Sequence, residues 1–191
     1  MAFELIVIGG SWGGMRALTT VLDALPADFE LPLVVAQHRP VTTGDELLEH
    51  VLARSSKLPV VGATDKEPIE PGRVYVAPAD YHLLVEPGHL ALSADAPVEF
   101  SRPSIDVLFE SAADVYGKGL LGIILTGWNQ DGADGLQAVH RAGGLTIVQN
   151  PDTAEAPVMP QAALARTAVD YILNLEEIAA LLAALPAGKR T

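Results

Sequence analysis

A serine lies among four glycines near the start of the chain, in the segment IGGSWGG that ends at Gly14. Residues 9–13 match the pattern G-x-S-x-G, which forms a sharp strand-to-helix turn in many hydrolases and exposes the serine hydroxyl. The chemistry that this pattern indicates is nucleophilic catalysis by Ser11. A structural alternative stays open, because serine often caps the first turn of a helix.

Two kinds of phosphate-binding loop are also rich in glycine, but the spacing here disfavours both. The dinucleotide-binding fingerprint G-x-G-x-x-G, aligned on Gly9 and Gly14, would have Ser11 in place of the middle glycine. That glycine lets the backbone approach a pyrophosphate, so its loss matters. A P-loop would end in Gly-Lys-Ser/Thr, and the first lysine of the chain is Lys57.

A nucleophilic serine needs a base, and the base needs a third group that orients it. His38 directly follows the apolar run LPLVVAQ. It therefore emerges at the same sheet edge as Ser11 if the two strands are parallel neighbours. His82, in the segment APADYHLL, is a second candidate, although a place in a specificity loop suits it better. We predict that His38 is the base.

The acid must come from a third strand end, and the strand GLLGIILTG is followed by the segment TGWNQDGADG. Asp131 adjoins Gly132, which permits a tight turn there. Asp134 falls in the first turn of the next helix, where the helix dipole alone favours an aspartate. A helix-capping role stays open for Asp131 as well. Because Asp131 shares an edge with Ser11 and His38, we predict that it orients the histidine.

The elements that must position these residues follow from the pattern of apolar residues. Short Val/Ile/Leu-rich runs alternate with helical patterns, as in ELIVIGG followed by GMRALTTVLDAL. Continuous apolar runs suit strands that are covered on both faces. We predict a doubly wound α/β fold, with a mostly parallel sheet and helices on both faces, in one domain spanning residues 1–191. Within residues 59–100, the segments VVGATD, GRVYVAP and HLLVEPGHLALS predict a small antiparallel excursion with a hairpin at Pro87-Gly88.

Composition excludes several classes of function. The formal net charge of −12 argues against binding to nucleic acid or to anionic lipid. The chain has no cysteine, so disulfides, a thiol nucleophile and cysteine metal sites are excluded. The first residues lack a basic region, and no apolar run reaches the roughly 18 residues of a membrane span. We therefore expect a soluble, cytoplasmic protein that does not insert into a membrane.

Seven motifs, in this order along the chain, resemble those of one known family. They are IGGSWGG, VVAQHRP, PGRVYVAPADYHL, RPSIDVLFESAA, LTGWNQDGADG, GGLTIVQNPDTA and MPQAAL. The segment that contains them resembles the catalytic domain of the chemotaxis protein-glutamate methylesterases.

The resemblance implies a doubly wound α/β serine hydrolase that removes γ-methyl esters from glutamates on the cytoplasmic helices of methylated chemoreceptors. Some members of the family also deamidate receptor glutamines. The family's catalytic triad falls on Ser11, His38 and Asp131, and its oxyanion donors fall on the backbone N–H groups of Trp12 and Trp128. The implied mechanism requires no cofactor and no metal.

Two departures from the family pattern bear on specificity and regulation. Many members have Met-Gly-Asn where this chain has Trp128-Asn129-Gln130, so the bulk beside the pocket differs. The first catalytic strand is expected within five residues of Met1, which leads us to expect no preceding receiver domain and no control by phosphorylation in cis. An alternative function is a non-catalytic or differently regulated signalling module that keeps the methylesterase fold. An intact triad argues against that alternative.

Overall fold

The computed structural model describes residues 3–39 and 47–185, in which strands and helices alternate. The strands are β1 (Leu5–Gly10), β2 (Leu33–Gln37), β3 (Val60–Gly62), β4 (Val74–Val76), β5 (His82–Glu86), β6 (His89–Ser93), β7 (Leu120–Ile124), β8 (Leu145–Gln149) and β9 (Tyr171–Leu173). The helices are α1 (Gly14–Asp23), α2 (Leu47–Ser55), α3 (Ile105–Tyr116), α4 (Ala133–Arg141), α5 (Val158–Arg166) and α6 (Leu175–Ala183). Two short 3-10 helices cover Gly117–Gly119 and Pro151–Thr153.

Seven of the described strands form one sheet, in the order β3-β4-β2-β1-β7-β8-β9. All neighbouring pairs in this sheet are parallel. This confirms the predicted fold class. The chain extends the sheet on one side of β1 and then returns to add β7 on the other side. Ligand sites in such sheets form at the carboxyl ends of the strands, at the point where the order reverses.

The antiparallel excursion that we predicted within residues 59–100 is smaller than expected. β5 and β6 pair antiparallel around Pro87-Gly88, so the predicted hairpin is confirmed. β3 and β4, in contrast, are parallel strands of the main sheet, and the prediction for them was wrong. Val74 and Val76 pack into one apolar layer and Tyr75 into the other, so β4 is covered on both faces. In the sequence, a run of three residues is too short to show this.

Alternate residues of β1 point into two apolar layers, one on each face of the sheet. Leu5 and Val7 pack into the layer formed with α3, α4 and α5. Ile6 and Ile8 pack into the layer formed with α1, α2 and α6. Helices therefore cover both faces of the central strand, which explains its uninterrupted apolar sequence. No helix in residues 3–39 and 47–185 has the length and apolar character that crossing a bilayer requires.

The three central strands bring the predicted site residues to one edge. β2 is the parallel neighbour of β1, with Gly10 opposite Gln37, so Ser11 and His38 follow equivalent positions of adjacent strands. β7 pairs with β1 on its other side, with Gly9 opposite Ile124. The loop that contains Asp131 therefore leaves the sheet at the same edge.

Candidate active site

The main chain of Ser11 is fixed by two neighbouring segments of the sheet edge. Its N–H donates to the Thr126 carbonyl at 2.9 Å, and its carbonyl accepts from Gln37 Nε2 at 2.7 Å. The cap of α1 is Gly13, in the left-handed conformation with φ 77°, and no side chain caps this helix. The helix-capping alternative for Ser11 is therefore wrong. Within the part of the chain that the structure describes, the Ser11 hydroxyl makes no hydrogen bond.

Gly127 allows the loop after β7 to pass close to Ser11. A Cβ atom at Gly127 would lie 2.9 Å from Ser11 Cβ and 2.7 Å from the Met159 sulfur, both closer than side chains tolerate. The Gly127 N–H donates to the Ala156 carbonyl at 3.0 Å, and its carbonyl accepts from the Met159 N–H at 2.9 Å. The glycine therefore lets this loop, which continues to Trp128, lie against the serine turn.

His38 and Asp131 form a short hydrogen bond between Nε2 and Oδ2, at 2.6 Å. The Asp131 side chain is fully buried, whereas 12% of the His38 side chain is exposed. The His38 N–H donates to the Gly10 carbonyl at 3.0 Å, which ties the histidine to the end of β1. The structure thus brings together the base and the acid that the sequence predicts, although 93 residues separate them.

Asp131 also accepts three hydrogen bonds from the start of α3. They come from the Ser104 hydroxyl at 2.8 Å, the Ile105 N–H at 2.7 Å and the Asp106 N–H at 3.0 Å. Burial alone would raise the pKa of Asp131, but His38 and these backbone N–H groups lower it below its usual value. Asp131 therefore carries a negative charge, and it caps α3 rather than the helix that follows it.

The second ring nitrogen of His38 faces the cleft. Because the charged Asp131 accepts from Nε2–H, the Nδ1 atom carries the lone pair and is the basic nitrogen. Ser101 Oγ and Asn129 Nδ2 each lie 3.5 Å from Nδ1, and Asn129 Nδ2 donates to Ser101 Oγ at 3.3 Å. No hydrogen bond joins the Ser11 hydroxyl to His38 among the described residues. Both residues line the same cleft.

An open cleft of about 930 Å³ lies at this edge, with Ser11 and His38 in its lining. Trp12 and Trp128 line it as well. The backbone N–H groups of these two residues have no hydrogen-bond acceptor within the described ranges. The Thr126 hydroxyl donates to the Trp12 carbonyl at 2.9 Å, which links the serine turn to the loop after β7.

The sequence analysis did not predict three residues that support the site, namely Gln37, Ser104 and Asp106. Gln37 Nε2 donates to the carbonyls of both Ser11 and His38, at 2.7 and 3.0 Å. Ser104 donates to Asp131, and Asp106 accepts from the N–H groups of Gly132 and Gly135 at 2.9 and 2.7 Å. The sequence contained a signal for Ser104 and Asp106, because polar residues at these positions in RPSIDVLF are typical of the start of a helix.

Asp106 has an unusual environment for a carboxyl group that is not in the predicted triad. It is 7% exposed and lies beside Asp131. Burial, opposed by the Gly135 N–H and reinforced by the charge of Asp131, raises the pKa of Asp106 to about 7. The two acidic residues therefore differ in charge: Asp131 is ionised, and Asp106 holds a proton over part of the neutral range.

The two remaining candidates lie outside the cleft lining. His82 is buried; its Nε2 donates to the Ala96 carbonyl at 3.1 Å, and its Nδ1 accepts from the Ser104 N–H at 3.2 Å. Both nitrogens are occupied, so His82 supports the start of α3. Asp134 is exposed in the first turn of α4 and forms an ion pair with Arg166.

Comparisons with known proteins agree with this geometry. The family model described as CheB methylesterase matches residues 6–182. A Leptospira interrogans protein, provisionally named a protein-glutamate methylesterase/protein-glutamine glutaminase, is 47% identical over 182 residues, which cover 95% of this chain and 94% of that protein. A protein of Anaeromyxobacter dehalogenans named protein-glutamate methylesterase/protein-glutamine glutaminase 2 is 43% identical, over 92% of this chain and 51% of its own length.

A solved structure gives the same result for the fold. The crystal structure of the Thermotoga maritima CheB methylesterase catalytic domain superposes with a TM-score of 0.90 and 33% sequence identity. The match covers 97% of this chain and 100% of that domain. The chain therefore belongs to the CheB methylesterase family.

Proposed function

We propose that this chain is a serine hydrolase that removes methyl esters from protein glutamate γ-methyl esters. The observation that carries the proposal is the hydrogen bond between His38 and the buried, ionised Asp131, which leaves His38 Nδ1 basic in the cleft that Ser11 lines. Burying a carboxylate is costly unless it is paired, so a pair at a sheet edge beside an unbonded serine favours catalysis over a binding role alone.

In the proposed reaction, Ser11 Oγ attacks the ester carbonyl carbon while His38 Nδ1 accepts the hydroxyl proton. The tetrahedral intermediate places its negative charge on the former carbonyl oxygen. The Trp12 and Trp128 N–H groups suit that oxygen, because neither has an acceptor among the described residues. The intermediate collapses, methanol leaves with the proton from His38, and Ser11 holds the glutamyl acyl group.

Water completes the cycle. His38 Nδ1 accepts a proton from a water molecule, which attacks the acyl group, and glutamate is released as Ser11 recovers its proton. For the first step, the Ser11 hydroxyl must come into hydrogen-bond contact with Nδ1, which Ser101 and Asn129 now face at 3.5 Å. Such contacts are often loose without substrate and tighten in the bound complex.

Methylated chemoreceptors are the proposed protein partner, as the family membership suggests. The names of the relatives also include protein-glutamine glutaminase. We propose the same path for a glutamine side chain, with ammonia as the leaving group in place of methanol. The supporting observation is again the site, because attack by serine on an amide carbonyl uses the same base and the same N–H donors.

The experiment is an assay of methanol released from receptor membranes with labelled methyl groups. The unmodified chain should release methanol, and the Ser11→Ala variant should release it slower by a factor of the order of 10⁶, as in the serine-protease case. Circular dichroism should show that Ser11→Ala is folded, because its side chain has no hydrogen bond to lose among the described residues. Turnover that is undiminished in a folded Ser11→Ala variant would contradict the proposal.

A further inference from the structure

Four large apolar side chains are exposed around the cleft that contains Ser11 and His38. This apolar rim consists of Trp12, Met15, Phe100 and Trp128. Both tryptophans of the chain belong to it, and they are 61% and 60% exposed. Clustered aromatic side chains that face solvent are typical of surfaces that bind a partner, because they bury much area when contacted.

Phe100 is held outward by a strained turn. Glu99 and Phe100 have φ values of 46° and 61°, in the left-handed region that favours glycine. Two hydrogen bonds between the backbones of Val98 and Ser101, at 2.8 and 3.1 Å, close the turn. Strain of this kind persists only where surrounding contacts impose it, and it is concentrated at ligand-binding sites.

Two side-chain hydrogen bonds join this turn to the loop after β7. Gln130 Nε2 donates to Glu99 Oε2 at 3.0 Å, and Asn129 Nδ2 donates to Ser101 Oγ at 3.3 Å. The same loop contains Trp128. Phe100 and Trp128 therefore lie on segments that are bonded to each other, and both line the cleft with His38.

The cleft also differs in charge from the rest of the chain. Three arginines and two carboxylates line it, whereas the whole chain has 12 basic residues and 24 acidic ones. Two of the arginines, Arg39 and Arg102, are paired with Glu49 and Asp80. Arg16 is exposed, and none of the described carboxylates forms an ion pair with it. Glu155 also lines the cleft, so the cleft has no excess of positive charge. Arg16 is nevertheless a cation in the lining that a negative side chain of a bound segment can pair with.

We propose that the apolar rim selects substrates by the residues beside the esterified glutamate. The preferred substrate is a polypeptide segment with a large apolar side chain next to the ester and an acidic side chain that reaches Arg16. The rim residues come from three separate segments, namely the serine turn with α1, the Phe100 turn and the loop after β7. A single glutamyl ester is too small to contact all three, and a segment with several side chains is not. This inference rests on the proposed function.

The test compares three synthetic peptides of equal length that carry one glutamate γ-methyl ester. The first has leucine and aspartate near the ester, the second replaces the leucine by serine, and the third replaces the aspartate by asparagine. Methanol release gives kcat and KM for each peptide. We expect the kcat/KM of the first peptide to exceed that of the second about tenfold or more, because its leucine is buried on binding. We expect it to exceed that of the third severalfold.

Variants assign these preferences to residues. Phe100→Ser should remove most of the preference for leucine by raising KM, with little change in kcat, because Phe100 contacts the segment and not the reacting atoms. Arg16→Gln should remove the preference for aspartate. Tyr171→Ser is the matched control, because Tyr171 is also exposed but lies on β9, outside the cleft lining, and this variant should keep both preferences. Equal kcat/KM for the three peptides, or a leucine preference that survives Phe100→Ser, would overturn the proposal.

A blocked single glutamate γ-methyl ester separates this proposal from the proposed function, because it has no neighbouring residues to select. If the unmodified chain hydrolyses this ester and treats the three peptides alike, only the selection by the rim is wrong. If it hydrolyses neither the ester nor any peptide, the proposed function is wrong and the rim proposal falls with it.

Discussion

Asp106 and Asp131 each accept hydrogen bonds from backbone N–H groups at the start of the helix beside the other residue. Asp131, just before α4, accepts from Asp106 N–H at 3.0 Å at the start of α3. Asp106, within α3, accepts from the N–H groups of Gly132 and Gly135 at the start of α4, at 2.9 and 2.7 Å. The exchange fixes two helix N-termini against each other, and Asp131 in turn holds His38.

Replacing Asp106 by alanine should therefore weaken both the fold and the site. Asp106→Ala leaves the N–H groups of Gly132 and Gly135 without their acceptor, and losing a helix cap costs about 1–2 kcal/mol. Asp106→Asn keeps an oxygen that can accept both hydrogen bonds and should stay closer to the unmodified chain. Urea unfolding and methanol release measure the two effects. Equal stability of the alanine and asparagine variants would contradict the capping role.

Stability should also depend on pH through Asp106. Its pKa is about 7 in the folded chain and about 3.8 as an ordinary carboxyl, so folding takes up a proton between these values. The contribution of Asp106 to stability is complete below the lower value and is lost as the pH rises through about 7. We compare the free energies of unfolding of the unmodified chain and of Asp106→Asn at about pH 5 and about pH 8, which bracket the titration of this carboxyl. Relative to Asp106→Asn, the unmodified chain should lose at least about 1.4 kcal/mol of stability over this range, the equivalent of one pKa unit. Parallel pH profiles of the two free energies of unfolding would show that Asp106 does not titrate in this way.

The two aspartates of the DGADG segment should differ in their effect on turnover. Asp131→Asn removes the charge that orients His38, and the equivalent change in a serine protease lowers turnover by about 10⁴. Asp134→Asn is the matched control, because Asp134 is exposed and paired with Arg166 away from the histidine. It should keep its activity and lose about 0.3–1 kcal/mol of stability. The assignment of the acid is wrong if Asp134→Asn is inactive and Asp131→Asn is active.

Gly127 should tolerate no side chain. Gly127→Ala places a methyl group 2.9 Å from Ser11 Cβ, so the loop that contains Trp128 must move away from the serine turn. We expect turnover to fall at least tenfold. Gly62→Ala is the control, because its nearest neighbouring atom is at an ordinary 3.6 Å. Methanol release from both variants, with thermal unfolding to confirm folding, makes the comparison. Equal turnover of the two variants would argue against this close approach.

Much of this site was predictable from the sequence because it depends on strand ends. Ser11, His38 and Asp131 each follow an apolar run, and parallel strands bring such positions to one edge. Which nitrogen of His38 bonds to Asp131 was not predictable. It depends on the orientation of the ring after the His38 backbone N–H has bonded to the Gly10 carbonyl.

Other features depend on contacts that local patterns do not contain. Asp106 appears in the sequence as an ordinary residue of a first helical turn, and its role arises only when α4 packs beside α3. β3 and β4 consist of three residues each, too short for periodicity to distinguish a parallel from an antiparallel strand. The turn at Glu99 and Phe100 has positive φ values but contains no glycine, so the sequence does not indicate it.

The central claim is that Ser11, and not Ser101, is the nucleophile. The two serines line one cleft, and it is Ser101 Oγ that lies 3.5 Å from His38 Nδ1 in the structure. A fluorophosphonate probe bonds covalently to an activated serine, and peptide mass spectrometry identifies the residue that carries it. We predict an adduct on Ser11 in the unmodified chain and in Ser101→Ala, and no adduct in Ser11→Ala. An adduct on Ser101 in the unmodified chain, or one that persists in Ser11→Ala, would contradict the account.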